Sequence, residues 1–106
     1  MDSLSKARNF IAEECGKRGV RLLKVYLFGS RARGDSHPGS DWDFFVVVDK
    51  ELSFTERQEM LGEVSWRLAQ EGIYSDIVIR SAASTEQARS DTGRLAYYVL
   101  REGVEV

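Results

Sequence analysis

Cysteine, histidine and proline each occur once in the 106 residues, as Cys15, His37 and Pro38. A single cysteine excludes an intrachain disulfide and a cysteine-based zinc site. Its position on an apolar helix stripe predicts a small buried filler rather than a reactive thiol. The lone histidine lies in the polar loop Ser36-His37-Pro38-Gly39, forms no triad and is expected to face solvent. Basic excess is also missing: 15 Lys and Arg face 17 Asp and Glu, a net charge of −2. A nucleic-acid-coating surface calls for the opposite balance, so no direct nucleic-acid contact is expected. No apolar run approaches the ~20 residues of a membrane span, and the opening MDSLSKARNF has no signal-peptide apolar region. The expected setting is cytoplasmic, without a membrane. Repeats, linkers and low-complexity stretches are absent, and the length fits one domain over residues 1–106 with a two-layer α/β core.

Within that length the chain alternates helices and strands. Leu4, Ala7, Ile11 and Cys15 recur at helical spacing over Leu4–Lys17, and Gly19 is the better candidate for the cap. Leu22–Phe28 reads as a strand, mostly apolar and so covered on both faces. Ser30–Asp35 allows a helical turn or two, and Gly34, Pro38 and Gly39 make the following piece a loop. Asp41–Asp49 is a second strand carrying the apolar run Phe44-Phe45-Val46-Val47-Val48. Ser53-Phe54-Thr55-Glu56 is a capping box opening a helix to about Gln70, with Phe54, Leu61, Val64 and Leu68 as its inward stripe and Gly72 at its end. Asp76–Ile79 is a third, shorter strand. Ser84 with Gln87 caps a further turn of helix, and Gly93 separates it from a last helix over Arg94–Glu102. Gly103 closes that helix, and the tail Val104-Glu105-Val106 reads as the end of a complete domain.

The chemistry concentrates between Val25 and Asp49, VYLFGSRARGDSHPGSDWDFFVVVD. Side chains along a strand alternate, so Asp41 and Asp43 share one face and Trp42 takes the other. Two carboxylates at roughly 4 Å repel by about 4 kcal/mol at an effective dielectric near 20. A hard cation relieves that repulsion, and Mg²⁺ prefers one or two carboxylates completed by substrate phosphates. As an edge charge pair or a turn cap the two would have no use for a second same-face carboxylate entering an apolar strand. Gly29-Ser30, where the first strand meets a helical turn, offers backbone N–H groups and a hydroxyl to an anion, and glycine permits close backbone approach. Arg31 and Arg33 gain charge-assisted contacts beside a triphosphate, although either is an ordinary solvated loop charge otherwise. A phosphate cradle and a metal site in one hairpin point to metal-assisted phosphoryl or nucleotidyl transfer.

Gly29-Ser30, ten residues, then Asp41-x-Asp43 resembles the signature of the nucleotidyltransferases of the DNA polymerase β superfamily. With the intervening Arg31-Ala32-Arg33-Gly34, the stretch is similar to their small prokaryotic branch, the minimal nucleotidyltransferases, and the likeness covers nearly the whole chain. The resemblance implies an α/β (α+β) nucleotidyltransferase fold: helices flanking a small mixed sheet of three strands, with room for a fourth, in the order α-β-α-β-α-β-α. It implies two Mg²⁺ ions held by Asp41, Asp43 and Asp76, with Asp76 also helping to deprotonate the attacking hydroxyl. It places the β- and γ-phosphates of ATP at Gly29 and Ser30, with Arg33 beside them. Minimal nucleotidyltransferases are typically paired with a HEPN-domain ribonuclease toxin. The resemblance therefore implies an antitoxin that moves AMP to a hydroxyl, a tyrosine of that toxin being the expected acceptor, within a hetero-oligomer.

Read without the resemblance, Asp76 is a lone carboxylate before a strand, often simple turn chemistry. It joins the site only under one topology. Gly29-Ser30 meets Asp41 and Asp43 if the first two strands run antiparallel, and Asp76 meets them if the third runs parallel to the second. The helix between Ser53 and Gln70 suits the crossover that this needs. Two other functions compete: a catalytically dispensable nucleotide-binding module that neutralises a toxin by direct binding, and a fragment of an aminoglycoside-type nucleotidyltransferase. Intact carboxylates disfavour the first, since a masking protein has no physical need of them.

Overall fold

The computed structural model describes residues 2–106. A central strand with five consecutive buried residues organises the molecule. β2 (Trp42–Val48) carries Phe44, Phe45, Val46, Val47 and Val48, all fully or nearly fully buried. Such a run needs cover on both faces, and β2 lies inside a four-stranded sheet ordered β3-β2-β1-β4. β1 (Leu22–Phe28) pairs with it antiparallel, and β3 (Ser75–Ser81) pairs with it parallel. These are the two orientations that the site chemistry requires. The fourth strand, β4 (Val104–Glu105), is the chain's tail, which pairs antiparallel with β1 at Leu27 and Tyr26.

The two faces of the sheet carry two layers of helix. Even-numbered β2 residues Phe44, Val46 and Val48 pack with Ala7, Ile11 and Cys15 of α1 (Ser3–Lys17) and Met60, Val64 and Leu68 of α3 (Phe54–Gln70). Odd-numbered Phe45 and Val47 pack with Ala88 of α4 (Ala82–Ala88) and with Ala96 and Val99 of α5 (Leu95–Glu102). α2 (Ser30–Arg33) is one turn inserted after β1.

Local signals explain most element ends. The Ser53 hydroxyl accepts from the Glu56 N–H while the Glu56 side chain accepts from the Ser53 N–H, completing the capping box. At the other end of α3, Gly72 has φ +75, its N–H reaches Ala69 and the Ile73 N–H reaches Leu68, a Schellman close. Gly19 ends α1 the same way, with φ +69 and a bond from the Val20 N–H to Cys15.

Three expectations are corrected. Phe54 does not belong to the inward stripe of α3: it is 68% exposed, and Met60 takes its place. Phe54 lies six residues before Met60, about 240° around a helix, so it points away from the stripe Met60, Val64, Leu68. The cap of α4 is Ser81, whose hydroxyl accepts from the Ser84 N–H, so Ser84 lies inside the helix. β3 extends to Ser81, two residues beyond the expected end.

One buried charge ties α1 to α3. Glu14 is 1% exposed and accepts from Lys17 at 2.8 Å, Arg18 at 2.8 Å and Arg67 of α3 at 3.3 Å. Burial alone raises its pKa, but the hydrogen bonds and charges of Lys17 and Arg18 outweigh that and hold it below the usual value of 4.5. The unfolded chain then binds the proton more tightly than the folded one. Glu14 therefore stabilises the fold above that range, and its contribution is lost as pH falls through the lowered folded-state value. Glu14→Gln is expected to cost about 2 kcal/mol at pH 7, since charged hydrogen bonds are lost from a buried site. In a chain of this length that lowers Tm by roughly 10 °C. Thermal melts from pH 7 to pH 3 check this: the gap between the two proteins narrows on acidification.

Candidate active site

The C-terminal end of β1 and the N-terminal ends of β2 and β3 meet at one edge of the sheet, because β1 is antiparallel to β2 and β3 parallel to it. In register, Phe28 pairs with Asp43, and Asp43 pairs with Asp76. Paired residues on neighbouring strands point to the same face, with backbones about 4.8 Å apart. Asp43 and Asp76 thus stand side by side on the α4/α5 face. Asp41 lies just before β2, two residues from Asp43 and near enough for its charge to act on that carboxylate.

Gly29 completes the group from the side of β1. Its φ of 76 and ψ of −156 fall in a region that essentially only glycine occupies. A Cβ built there would lie 2.1 Å from Oδ2 of Asp43. The missing side chain is what lets the turn into α2 rest directly against the carboxylate. Ser30 opens α2, and Gly29 accepts the Arg33 N–H at 3.1 Å. Burial, then the charge of Asp76, then that of Asp41 raise the Asp43 pKa, and Arg33 opposes them.

Among the described residues no group of three or more Asp, Glu, His or Cys side chains forms a metal cage by itself. The donor set fits a hard cation that takes one or two carboxylates and completes its shell with phosphate oxygens and water. Repulsion stored at Asp43 is what such a cation relieves. In chelator at pH 7, Asp43→Asn is expected to melt at a higher temperature than the wild type, because it removes that repulsion. Differential scanning calorimetry reads the difference, and an unchanged or lower Tm contradicts it.

A cavity of about 320 Å³ opens beside this group, between α2 and α5. Gly29 and Arg33 line it, together with Phe28, Tyr98 and Glu102. The sequence assigns neither Tyr98 nor Glu102 to the site, although their four-residue spacing puts both on one face of the last helix. Arg33 pairs with Asp35 at 3.2 Å in an exposed ion pair that a ligand can displace.

Other expected positions lie elsewhere. Arg31 does not reach the cavity: its guanidinium donates to the Ser40 carbonyl at 2.8 and 3.2 Å and stacks 4.0 Å over the Trp42 ring. It fastens the loop that delivers Asp41. Trp42 faces α1 and α3, with its ring nearly parallel to that of Phe44 at 6.3 Å. His37 is exposed in its loop, where its N–H donates to the Ser40 hydroxyl. Cys15 is buried, and burial pushes its thiol up to about 11. No helix among the described residues is long and apolar enough to cross a membrane.

The nucleotidyltransferase domain family matches residues 8–98, most of the chain, including Gly29, Ser30, Arg33, Asp41, Asp43 and Asp76. The chain belongs to that family. Among solved structures, this nucleotidyltransferase domain is similar to a minimal nucleotidyltransferase at 27% identity, covering all of this chain and 97% of the other, with a TM-score of 0.61. A toxin–antitoxin solved with AMP-PNP matches at 26% identity over 92% of this chain and 69% of that one, TM-score 0.60. A variant of the MntA-HpeT toxin–antitoxin shares the fold at 22% identity, over 99% and 71% of the two chains, TM-score 0.64. No curated protein matches the sequence.

Proposed function

We propose that this nucleotidyltransferase domain transfers AMP from ATP to a hydroxyl of a partner protein, a HEPN-domain toxin, and so acts as its antitoxin. The observation that carries the proposal is the contact of the Gly29 turn with Asp43, beside Asp76 on the next strand. A backbone turn with no side chain and two neighbouring carboxylates then share one point. The toxin–antitoxin relatives and the AMP-PNP of one of them support the choice of partner and nucleotide. The acceptor tyrosine comes from the family resemblance.

In this reading Gly29 and Ser30 hold the β- and γ-phosphates through backbone N–H groups and the Ser30 hydroxyl, and Arg33 adds charge-assisted bonds. Asp41, Asp43 and Asp76 would hold two Mg²⁺ ions, which when bound neutralise phosphate charge. Asp76 takes the proton of the acceptor hydroxyl, whose oxygen forms a bond to the α-phosphorus. The bond from that phosphorus to the bridging oxygen breaks, and pyrophosphate leaves toward Gly29 and Arg33. Positioning donor and acceptor in line, together with electrostatic stabilisation of the phosphoryl charge, accounts for most of the rate enhancement in such chemistry.

Nucleotide affinity is expected to depend on divalent metal, since an anionic triphosphate otherwise meets three carboxylates. Calorimetric titration of ATP in Mg²⁺ and in excess chelator checks this. Equal affinity in both contradicts the metal site. The direct-binding alternative is separated by Asp43→Ala: neutralisation of the toxin is expected to be lost, and its survival would favour masking.

A further inference from the structure

The sheet order gives the site two sides. Gly29 and Arg33 line their cavity on the β1 side, and in the proposed reaction pyrophosphate leaves there. In an in-line displacement the attacking oxygen stands opposite the leaving group, which here means over β3. A second, smaller cavity of about 90 Å³ lies on that side and on the same face of the sheet. Phe45 and Val78 floor it, each two residues along its strand from Asp43 and Asp76 respectively. Ala88 and Ala96 wall it, and Arg80 and Arg94 stand at its rim, both exposed. Among the described residues Arg80 forms no ion pair; one of its N–H groups donates to the Ile79 carbonyl at 2.8 Å. Arg94 makes one exposed pair with Asp91 at 3.4 Å.

We propose that this cavity and its two arginines form the acceptor-docking surface, and that the segment docked there is a partner polypeptide with an apolar side chain and acidic residues flanking its reactive hydroxyl. The inference rests on the nucleotidyl-transfer reading and adds the acceptor's chemistry to it. An apolar floor accepts an apolar neighbour of the hydroxyl, and two cations at the rim favour carboxylates and repel basic segments. Neither arginine touches the nucleotide side, so the surface selects the acceptor without altering nucleotide affinity.

The test uses two fluorescent peptides, Asp-Leu-Tyr-Leu-Glu and Lys-Leu-Tyr-Leu-Lys, with the wild type and the double variant Arg80→Glu/Arg94→Glu. Anisotropy with Mg²⁺ and a non-hydrolysable ATP analogue reads peptide binding, and α-labelled ATP reads transfer. The wild type is expected to bind the acidic peptide at least about tenfold more tightly, and the double variant to reverse that order with unchanged nucleotide affinity. Equal binding of both peptides, binding of neither, or an unreversed preference in the double variant overturns the docking surface. The expected binding order without any transfer of label overturns the nucleotidyl-transfer reading and leaves the surface standing.

Discussion

Asp76→Asn is expected to lower turnover by a factor on the order of 10² to 10⁴, the usual span for loss of a general base, while Mg·ATP affinity changes little. The separation follows from position. Asp76 stands on β3, across Asp43 from the Gly29 turn. It is therefore farthest from the proposed phosphate cradle and nearest the proposed acceptor. Asn has nearly the same shape, so the fold and the cradle persist, but the amide neither accepts the hydroxyl proton nor carries the charge. Calorimetry of Mg·ATP binding paired with labelled-AMP transfer to the purified partner measures both quantities. Unchanged transfer makes Asp76 a strand-opening residue without catalytic work. A parallel collapse of ATP affinity makes it chiefly a nucleotide-holding ligand.

Gly29→Ala is expected to remove at least about 99% of transfer, because a misplacement near 1 Å at a reacting centre costs about 10²-fold. Two effects act together. The backbone at Gly29 lies where a Cβ is strained by roughly 1–3 kcal/mol, and that Cβ would sit 2.1 Å from the Asp43 carboxylate oxygen. Either the turn lifts off or Asp43 swings away, and each outcome separates the cradle from the carboxylates. ATP affinity falls along with turnover, which distinguishes this variant from Asp76→Asn. Stability provides a second reading. In an Asp43→Ala background the collision is gone, so Gly29→Ala costs less there than in the wild type, by the strain that the carboxylate had added. Additive costs in the double-mutant cycle contradict the close approach.

Much of this site was legible in the sequence because function and topology constrain each other. Gly29, Asp43 and Asp76 meet under one strand arrangement, and β1, β2 and β3 adopt it. Alternation alone put Trp42 opposite the aspartates, and the ring does face α1 and α3. Arg31 was harder, since its partners, the Ser40 carbonyl and the Trp42 ring, lie nine and eleven residues on and carry no local signal. The same applies to β4: two residues pairing with β1 from the far end of the chain leave no periodicity to read. Phe54 misled because a capping box marks where a helix begins without fixing which way its first residue points. The cavities were illegible for a related reason. Arg33 with Tyr98, and Val78 with Arg94, come from elements far apart in sequence, and only their packing brings each pair to one opening.

The central claim is that the α-phosphoryl group of ATP, carrying its nucleoside, moves to a hydroxyl. The most direct measurement compares ATP labelled at the α-position with ATP labelled at the γ-position, each incubated with Mg²⁺, this protein and the proposed toxin partner. Nucleotidyl transfer makes the α-label covalently attached to the partner in step with pyrophosphate release, and leaves the γ-label only in pyrophosphate. Attachment of the γ-label to the partner would instead mean phosphoryl transfer, and toxin neutralisation with neither label attached would contradict the account.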